Sequence, residues 1–290
     1  MSAIIFGANG QDGYYLSMLL QKQGLEVINV SRGGNGFQAD VADSTAVHEL
    51  IKSHQPQYVF HLAANSTTRH NALFENHAAI STGTLNILES VKTASPGSKV
   101  FISGSGLQFR NLGLPISESD PFEAKDAYSV SRIHSVYAAR YYRSLGIRVY
   151  TGYFFNHDSP RRSSRHVTKM IADAVKRIEA GKEEVIEIGD ISVKKEWGYA
   201  GDIVEAVWTL VNQDTVYEAT LGTGQAHSIQ EYVELCFGMI KKDWSDYVRT
   251  KGGFKSEYAQ LVSNPSTIFS LGWRPKTSFE ALTKIMLHDD

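Results

Sequence analysis

The chain has 290 residues, 42% of them hydrophobic and 21% charged, which is enough for one large α/β domain with an ordinary core. Its formal net charge of -2 argues against the strongly basic surfaces that bind nucleic acid or anionic membranes, and no apolar run is long enough to span a bilayer. The single cysteine excludes an internal disulfide and favours a reducing compartment, so we expect a cytoplasmic protein that binds neither nucleic acid nor membrane.

The first predicted elements form a phosphate-binding unit. Residues 4–6 are apolar and predict a buried strand, and leucines on one face predict a helix from residue 11 onward. Between them three glycines recur as GxxGxxG, a spacing that also occurs in ordinary tight turns. A glycine turn between strand and helix suits a pyrophosphate, because backbone N–H groups and the helix dipole face the anion and no Cβ blocks it. We assign this turn to the cofactor site: Gly7, Asn9, Gly10, Gln11, Asp12 and Gly13.

A second predicted strand, residues 25–30, ends at Ser31 and Arg32. A site for NAD usually carries Asp or Glu at this point for the ribose hydroxyls, whereas a guanidinium can clamp the 2′-phosphate of NADP. The alternative is an arginine on a solvated loop. Because the pair follows the second strand directly, we favour NADP over NAD as the cofactor. Asp40 and Val41, which precede the next amphipathic helix, belong to the same predicted site.

The third and fourth predicted strands, residues 58–62 and 99–102, lead to small side chains. The carboxyl edge of an open parallel sheet is where ligands bind, and small residues there let a cofactor lie against the backbone. Ser105 follows the fourth strand. The residues assigned to the cofactor after the third strand are Leu62, Ala63, Ala64 and Ser66.

Between these two strands, residues 79–91 predict a helix with Leu85 and Leu88 facing the core. His61 lies inside the third strand, and a lone histidine in an apolar strand is more often a core residue than a ligand. We expect it to be structural.

The next predicted helix, from Tyr128 to Leu145, carries a candidate catalytic pair. Tyr128 and Arg132 are four residues apart and therefore project from one helical face. With Ser105 they form a plausible hydride-transfer site, in which the tyrosine exchanges a proton with a substrate oxygen and the serine hydrogen-bonds that oxygen. Free tyrosine titrates near ~10, so a neighbouring cation is needed at neutral pH. The alternative is a core tyrosine on an aromatic-rich helix, which these residues alone would favour.

The alternation of strands and helices continues to residue 154 and then becomes less regular. Two Ser/Thr-x-x-Glu capping boxes, at residues 228–231 and 277–280, predict helix starts. The regular part predicts an α/β, Rossmann-type doubly wound parallel sheet. We expect an NADP-binding domain over residues 1–158 and a smaller substrate-binding cap over 159–290, from which residues 197–222 return to the Rossmann core. Further predicted elements are strands over 147–154, 185–188 and 216–221 and helices over 166–180 and 200–211.

Several motifs together resemble the extended short-chain dehydrogenase/reductases, the NAD-dependent epimerase/dehydratase family, and most closely the GDP-mannose 4,6-dehydratases. The resemblance runs over nearly the whole chain. Its most specific part is residues 155–162, Phe-Asn-His-Asp-Ser-Pro-Arg-Arg. The other parts are residues 7–13, 62–64, Tyr128 with its helix, 167–168, 194–198 with Asp202, 224–228 and 271–276.

The resemblance implies roles for residues that would otherwise be assigned to a solvated surface. In the family the asparagine of the specific motif lies beside the sugar-nucleotide phosphates, and the arginine pair lies in a loop linked to cofactor binding and tetramer contacts. Lys195 stands where the family has an arginine that contacts the diphosphate. The resemblance therefore implies a nucleotide-sugar substrate, by expectation GDP-linked. It assigns Arg161, Tyr128 and Arg132 to the cofactor and Ser66, Ser105, Asn156, Arg162, Val167, Lys195, Trp197 and Lys255 to the substrate.

Two departures from the family pattern lie at the catalytic residues. Arg132 stands where the family has its active-site lysine. Its planar guanidinium keeps the positive charge but is not interchangeable with an ammonium group that bonds the nicotinamide ribose. The glutamate two residues after the catalytic hydroxyl, which removes the C5 proton and helps expel the 6-hydroxyl, is Leu107, which moves no proton. A dehydratase would need another carboxylate, and the candidates are Glu118, Asp120 and Glu123.

A third departure concerns the nucleotide. Lys255 and Tyr258 stand where the family has an arginine and a glutamate, so the guanine nucleotide stays an expectation. We expect NADP-dependent redox chemistry at C4 of a hexose or heptose, as a 4-ketoreductase or dehydrogenase, with no metal. A 4,6-dehydratase, an epimerase and a non-catalytic binder of NADP or nucleotide sugar stay open. The family implies a homodimer or homotetramer, with residues 79–91 and 128–145 as dimer faces.

Overall fold

The computed structural model describes residues 1–34, 36–254 and 256–288. The helices are α1 Gln11–Lys22, α2 Ser44–His54, α3 Leu73–Asn76, α4 Gly83–Ala94, α5 Ala127–Ser144, α6 Val167–Glu179, α7 Ala200–Val211, α8 Ile229–Met239, α9 Ser266–Ser270 and α10 Phe279–His288. The strands are β1 Ser2–Phe6, β2 Glu26–Ser31, β3 Phe37–Gln38, β4 Tyr58–His61, β5 Lys99–Ser105, β6 Arg148–Phe154, β7 His157–Asp158, β8 Ile186–Ile188, β9 Lys194–Glu196, β10 Gly198–Tyr199, β11 Glu218–Leu221, β12 Ala226–Ser228, β13 Val248–Thr250 and β14 Gln260–Leu261.

The centre of the molecule is a parallel sheet in the order β11-β6-β5-β4-β1-β2-β3. Strand β1 pairs on both sides, so that Phe6 lies beside Val30 and His61. Apolar side chains on both faces of the sheet are buried under helices, which explains the continuous apolar runs of these strands. The predicted Rossmann-type fold is confirmed. All the strand ends that carry predicted site residues lie along one edge.

Strand β5 is longer than predicted. Ser103 and Ser105 pair with Gly152 and Phe154 of β6, and therefore lie within the strand instead of after it. Local propensity gave no reason to extend the strand through a Ser-Gly-Ser sequence, and the paired neighbour supplies the hydrogen bonds that do so. The extension holds Ser105 on a rigid element at the ligand edge.

Two layers of helices cover the sheet. Helices α1 and α7 pack on one face and α2, α4 and α5 on the other. Ile268 and Trp273, which the predicted division placed in the cap, also pack on the face of α1 and α7. The Trp273 indole N–H donates to the carbonyl of Asp202 in α7 at 3.0 Å, which anchors this segment to the sheet. The boundary at residue 158 stays a prediction.

The helix predicted over residues 79–91 is longer and differently oriented. Helices α3 and α4 are joined by a π-helical stretch over residues 77–82. Leu88 is fully buried, as predicted, but Leu85 is 39% exposed, so its inward placement was wrong. The buried face runs through Thr84, Ile87, Leu88 and Val91, at the i, i+3, i+4, i+7 spacing, and Leu85 falls outside that stripe.

The remaining elements form a smaller body with its own core, built from α6, α8, α10 and the short strands beside them. The fully buried carboxylate of Glu196 ties this body to the sheet, since it accepts hydrogen bonds from Thr223 N at 2.5 Å and from the Ser263 hydroxyl at 2.6 Å. Burial raises the pKa of Glu196. This anchor fixes strand β9, which carries Lys195.

The two predicted helix starts have different caps. Ser228 and Glu231 form the predicted capping box of α8. At α10 the hydroxyl of Ser278, not of Thr277, accepts the hydrogen bond, from Ala281 N at 3.1 Å. The predicted box does not form there, because Ala281 has no side chain that could complete it, and Ser278 gives a one-sided cap. None of the helices in the described ranges combines the length and the apolar character needed to cross a membrane.

Candidate active site

A cavity of about 510 Å³, here called the main cavity, opens at the carboxyl edge of the sheet between the two bodies. It collects side chains from the ends of β1, β4, β5 and β6, from the start of α5 and from the segment before α6. Of the predicted site residues, those that line it are Asn9, Gly10, Gln11, Asp12, Leu62, Ala64, Ser66, Ser105, Tyr128, Arg132, Asn156, Arg161 and Arg162.

The three glycines of the turn have different structural roles, which the sequence did not reveal. A Cβ on Gly7, whose φ is +90°, would lie 2.5 Å from Ala63 N, and one on Gly13 would lie 2.5 Å from Gly7 O. These two glycines are therefore required by the packing of the turn itself. Gly10 is the N-cap of α1, carries no side-chain cap and lines the cavity, so the first amides of α1 face an open anion-sized space. The turn fits a pyrophosphate at Gly10.

A small cavity of about 180 Å³ continues from the main cavity along β1 and β2. Its depth beside the first two strands suits the adenosine end of a dinucleotide. The Arg32 side chain is 64% exposed at its rim, 3.8 Å from the carboxylate of Glu75, and is thus free to turn toward a phosphate. The predicted cofactor residues that line the small cavity are Gly7, Asn9, Gly10, Ser31, Arg32, Asp40, Val41, Leu62, Ala63 and Ala64.

Ser105 and Tyr128 both face the main cavity and both are less than 9% exposed. The Ser105 Oγ accepts a hydrogen bond from Leu107 N at 3.2 Å, which leaves the hydroxyl proton available to a substrate oxygen. Tyr128 is held at the first turn of α5, where the carboxylate of Asp126 accepts its backbone N–H at 2.8 Å. Two hydroxyl donors thus converge on one space, held by a strand and by a capped helix.

Arg132 lies beneath Tyr128, with its guanidinium carbon 5.0 Å from the centre of the phenol ring. Its Nη1 donates to the carbonyl of Ser103 and to the Ser103 hydroxyl at 2.7 Å, and its Nε is buried without a partner among the described residues. The fork is therefore fastened to β5, and the charge is fixed below the tyrosine. Burial and the Arg132 charge lower the pKa of the neighbouring His61 to about 4, which keeps that core histidine neutral.

Leu107 lines the main cavity at the position that the sequence marked. The carboxylates proposed as substitutes are committed elsewhere: Glu118 bonds the Thr267 hydroxyl, Asp120 accepts Ser117 N at 2.8 Å, and Glu123 pairs with Lys125 at 2.8 Å. Among the described residues that line the main cavity, Asp12 carries the one carboxylate.

That carboxylate is also engaged. Asp12 Oδ1 lies 2.8 Å from His157 Nε2, and His157 Nδ1 lies 2.8 Å from the carbonyl of Phe155. Burial alone would raise the pKa of Asp12 and lower that of His157, but their mutual attraction outweighs burial, so the Asp12 pKa is lowered and the His157 pKa is raised. An ion pair therefore joins the start of α1 to the segment after β6.

Basic groups form one wall of the main cavity. Arg162 Nη2 lies 3.3 Å from His166 Nδ1, and burial together with the Arg162 charge lowers the pKa of His166 to about 4, so the imidazole is neutral and accepts this bond. Burial also lowers the pKa of nearby Lys195. The amide oxygen of Asn156 and the Nε of Arg162 are buried without a hydrogen-bond partner among the described residues. The Arg162 Nε lies 3.4 Å from the Asp158 carboxylate without forming a hydrogen bond to it, so the guanidinium keeps a donor that suits a phosphate group.

Four of the described residues predicted for the site line neither the main cavity nor the small cavity. Trp197 is 2% exposed, stacks on Tyr232 with ring centres 4.7 Å apart, and donates its indole N–H to His227 O, so the structure places it in the cap core. Val167 also packs against that core. Gly13 lies inside the turn, and Lys195 lies behind the basic wall, 5.4 Å from the Trp197 ring centre. Lys255 falls outside the described residues.

Other residues line the main cavity without having been predicted as site residues. Arg165 and His166 extend the run of basic residues that starts at Arg161, and that run was a usable signal. Leu261 carries no local signal, since the cap brings it to the site from more than 100 residues beyond β6. The complete set of such residues is Ser103, Leu107, Phe154, Phe155, His157, Ser163, Arg165, His166 and Leu261.

Comparison with known families gives one match over almost the whole chain. A family model described as GDP-mannose 4,6 dehydratase matches residues 4–286. GDP-mannose 4,6 dehydratase 2 of Arabidopsis thaliana is 30% identical over 321 residues, covering 99% of this chain and 86% of the relative. GDP-mannose 4,6 dehydratase of Homo sapiens is 27% identical over 337 residues, covering 99% of this chain and 91% of the relative.

Solved structures share the fold at lower sequence identity. The UDP-glucose 4-epimerase of Thermus thermophilus in complex with NAD has a TM-score of 0.85 and 21% identity, covering 99% of this chain and 98% of that one. RMD from Pseudomonas aeruginosa complexed with NADPH has a TM-score of 0.86 and 19% identity, covering 99% and 96%. At this identity the likeness shows the fold.

Proposed function

Because the chain belongs to the GDP-mannose 4,6-dehydratase family, we propose that it is a nicotinamide-dependent enzyme that acts on a nucleotide sugar, and that its reaction is reduction of a 4-keto group or the reverse oxidation at C4. The cofactor is NADP and the sugar is a hexose or heptose, GDP-linked as in the named substrate of the relatives. The proposal departs from the relatives' name only in the elimination step.

One observation carries this departure. Ser105 and Tyr128 face the main cavity, but the residue two positions after the serine is Leu107. Elimination across C5 and C6 needs a side chain that accepts a proton from the substrate, and the hydrocarbon side chain of leucine cannot do so. The one carboxylate among the described lining residues, Asp12, is paired with His157. A site that keeps the proton donor for C4 and lacks the second acid/base group suits simple hydride transfer, because function follows the site and not the fold.

The protein side chains then have separate tasks. Ser105 donates a hydrogen bond from its hydroxyl group to the C4 oxygen and so orients that oxygen. Tyr128 gives or takes the proton at the same oxygen. Arg132, fastened to Ser103, holds a fixed positive charge under Tyr128. When bound, the nicotinamide supplies or accepts the hydride. Asn156 and Arg162 bind the sugar-nucleotide phosphates and thereby fix the distance from C4 to the anchored end of the substrate.

The cofactor proposal rests on the small cavity. No acidic side chain stands at the end of β2, where Ser31 donates its hydroxyl to Gly33 O at 2.7 Å and Arg32 lies at the rim. The Arg32–Glu75 pair is exposed at 3.8 Å and therefore weak, so a phosphate can displace the carboxylate at little cost. These features favour a 2′-phosphate over a ribose diol.

We also propose that two copies of the chain associate through α5 and the helix of α3 and α4. Val130, Tyr137 and Tyr141 are 43–60% exposed and recur at the i, i+7, i+11 spacing on α5. The strip continues onto the neighbouring helix through the rings of His134 and His77, whose centres lie 5.8 Å apart, and reaches the exposed Phe74 and Leu85. An exposed face of two adjacent helices that is largely apolar and aromatic, with the Arg140 guanidinium 5.7 Å from the Tyr137 ring centre, suits a self-complementary four-helix contact. A substitution of Tyr141 by Glu should yield a monomer in sedimentation experiments, and an unchanged mass would contradict the proposal.

Mass spectrometry of two reactions tests the activity. GDP-mannose with NADP should show no loss of water, whereas a GDP-linked 4-keto sugar with NADPH should gain two hydrogens and oxidise the cofactor. Loss of water from GDP-mannose would contradict the departure and restore the dehydratase reaction. If neither reaction yields a product, a non-catalytic binder of NADP or nucleotide sugar is favoured.

A further inference from the structure

A second large cavity, here called the outer cavity, adjoins the main cavity. It measures about 560 Å³ and lies between residues 106–113, the start of α5 and residues 257–261. Leu107 and Leu261 line both cavities. The two spaces therefore share a wall made of two apolar side chains, directly beside Ser105.

The interior of the outer cavity is apolar, and most polar groups around it are already satisfied. Phe109 and Leu261 are 1% and 3% exposed. The side-chain amide of Asn111 donates to Gln260 O at 2.7 Å and accepts from Gly113 N at 2.8 Å. Lys125 is paired with Glu123, and the Asp126 carboxylate caps α5. A ligand group that enters here meets the apolar side chains of Leu107, Phe109 and Leu261, and the exposed Glu257 also lines the cavity.

The hydroxyl of Tyr258 is the exception. The ring lines the outer cavity and is partly buried, yet its oxygen makes no hydrogen bond to any part of the chain that the structure describes. Burial raises the pKa of Tyr258 to about 12, so at neutral pH the group is a protonated donor. The phenol therefore has a hydrogen-bond donor that no acceptor within the described chain occupies, and a ligand oxygen placed in this cavity can accept from it.

The positions of the other substrate groups decide what reaches this cavity. On the proposed function, Asn156 and Arg162 hold the phosphate attached to C1, and Ser105 holds the oxygen on C4. These two carbons lie across a pyranose ring, so a group that passes Leu107 must be carried by a ring carbon beside C4. Of those carbons, C5 carries the carbon chain. The cavity far exceeds a hydroxymethyl group, because a single water molecule takes about 30 Å³.

We propose that the outer cavity receives the C5 side chain of the substrate, and that this chain is longer than the hydroxymethyl group of a hexose and hydroxylated, as in a nucleotide-linked heptose. The carbon atoms pass over Leu107 and Leu261, and a hydroxyl beyond them accepts the Tyr258 hydrogen bond. Leu107, which stands where the family has the acid/base carboxylate, presents hydrocarbon instead of a charge to these carbon atoms. This inference rests on the part of the proposed function that places the C4 oxygen at Ser105 and the phosphate at Asn156 and Arg162.

Binding of two nucleotide sugars to the full chain saturated with NADPH tests the inference. The probes are GDP-mannose and GDP-D-glycero-D-manno-heptose, which differ only in the C5 side chain, and the measurement is the dissociation constant by calorimetry. The unmodified protein should bind the heptose about tenfold more tightly, since one added hydrogen bond from a partly buried donor is expected to give about that factor. Equal affinities would overturn the inference.

Variants of the outer cavity make the test specific. Tyr258→Phe should weaken binding of the heptose about tenfold and of GDP-mannose less than twofold, whereas Tyr247→Phe, which removes the same oxygen outside both cavities, should change neither. Ala259→Trp places bulk in the outer cavity and should also discriminate against the heptose. Equal losses for both sugars in Tyr258→Phe would show that the cavity holds a part common to both, and would overturn the inference.

The proposed function fails separately. If both sugars bind with the expected difference but no hydride transfer to or from C4 occurs, the cavity assignment stands and the reaction assignment falls. If hydride transfer occurs but the two sugars have equal dissociation constants, the reaction assignment stands and the cavity assignment falls.

Discussion

The carboxylate of Glu218 at the start of β11 should contribute more to stability than any exposed ion pair of the described chain. It accepts hydrogen bonds from Arg140 Nε at 2.9 Å and Nη2 at 2.7 Å, from the Tyr153 hydroxyl at 2.6 Å and from Arg143. Its side chain is 13% exposed. Because both arginines belong to α5, which carries Tyr128 and Arg132 at its other end, this cluster fastens the distal part of that helix to the edge of the sheet.

The magnitude follows from the pKa of Glu218. Burial alone would raise it, but the hydrogen bonds of Arg140 and Tyr153 and the charge of Arg143 lower it to about 2. A shift from about 4.3 in the unfolded chain corresponds to ~3 kcal/mol at 1.36 kcal/mol per unit. The folded pKa is the lower one, so this stability is fully present above pH ~4.3 and is lost as the pH falls toward 2. About 2 kcal/mol should remain at pH 3.5.

Glu218→Gln should therefore lower the free energy of unfolding by ~3 kcal/mol at pH 7, measured by urea denaturation, and the midpoint of thermal unfolding by ~6 °C. Glu89→Gln is the matched control, since Glu89 also accepts a tyrosine hydroxyl, from Tyr142 at 2.7 Å, and pairs with a cation, Lys92, but is 52% exposed. It should cost less than ~1 kcal/mol. Equal costs for the two variants, or a Glu218→Gln cost that does not shrink between pH 7 and pH 3.5, would refute the reasoning.

Three substitutions test the site directly. Tyr128→Phe should lower turnover of a 4-keto sugar nucleotide by ~10²–10⁴-fold while the dissociation constant for NADPH stays within about twofold, and retained turnover would remove Tyr128 from the mechanism. Leu107→Glu should introduce detectable loss of water from GDP-mannose, and if mass spectrometry finds none, residue 107 does not decide between the two reactions. Arg32→Ala should raise the KM for NADPH about tenfold and leave the KM for NADH unchanged, since only NADPH carries the 2′-phosphate; equal effects would argue against NADP.

Much of the fold could be predicted because its signals are local. An apolar run, a glycine turn and a leucine stripe specify β1, the turn and α1 within 20 residues, and the same alternation repeats through β6. Parallel strands bring their carboxyl ends to one edge, so residues that follow separate strands, such as Gly10, Ser105 and Asn156, could be expected in one cavity. The motif that follows β6 added the basic wall.

The structure departs from the predictions where a side chain could face either of two environments. Leu85 is apolar and lies in a helix, but the stripe that faces the sheet passes one residue away from it. Trp197 lies in a motif beside Lys195, but a large aromatic side chain gains more by packing in the cap core than by lining a wet cavity. In both cases the residue type carried no information about which environment the side chain would face.

The sequence by itself thus determined the main strands and helices of the central sheet, the glycine turn and the residue types of the candidate site, because each depends on neighbours within a few turns of chain. The tertiary structure alone decided the contacts between distant segments. The Gln11 side chain donates a hydrogen bond to the carbonyl of His157, 146 residues away, and the Arg132 guanidinium donates to Ser103, 29 residues before it. Leu261 closes the cavity beside Leu107 from the other body. Such contacts depend on where whole elements pack, and the packing of elements is a property of the complete fold and not of any stretch of chain.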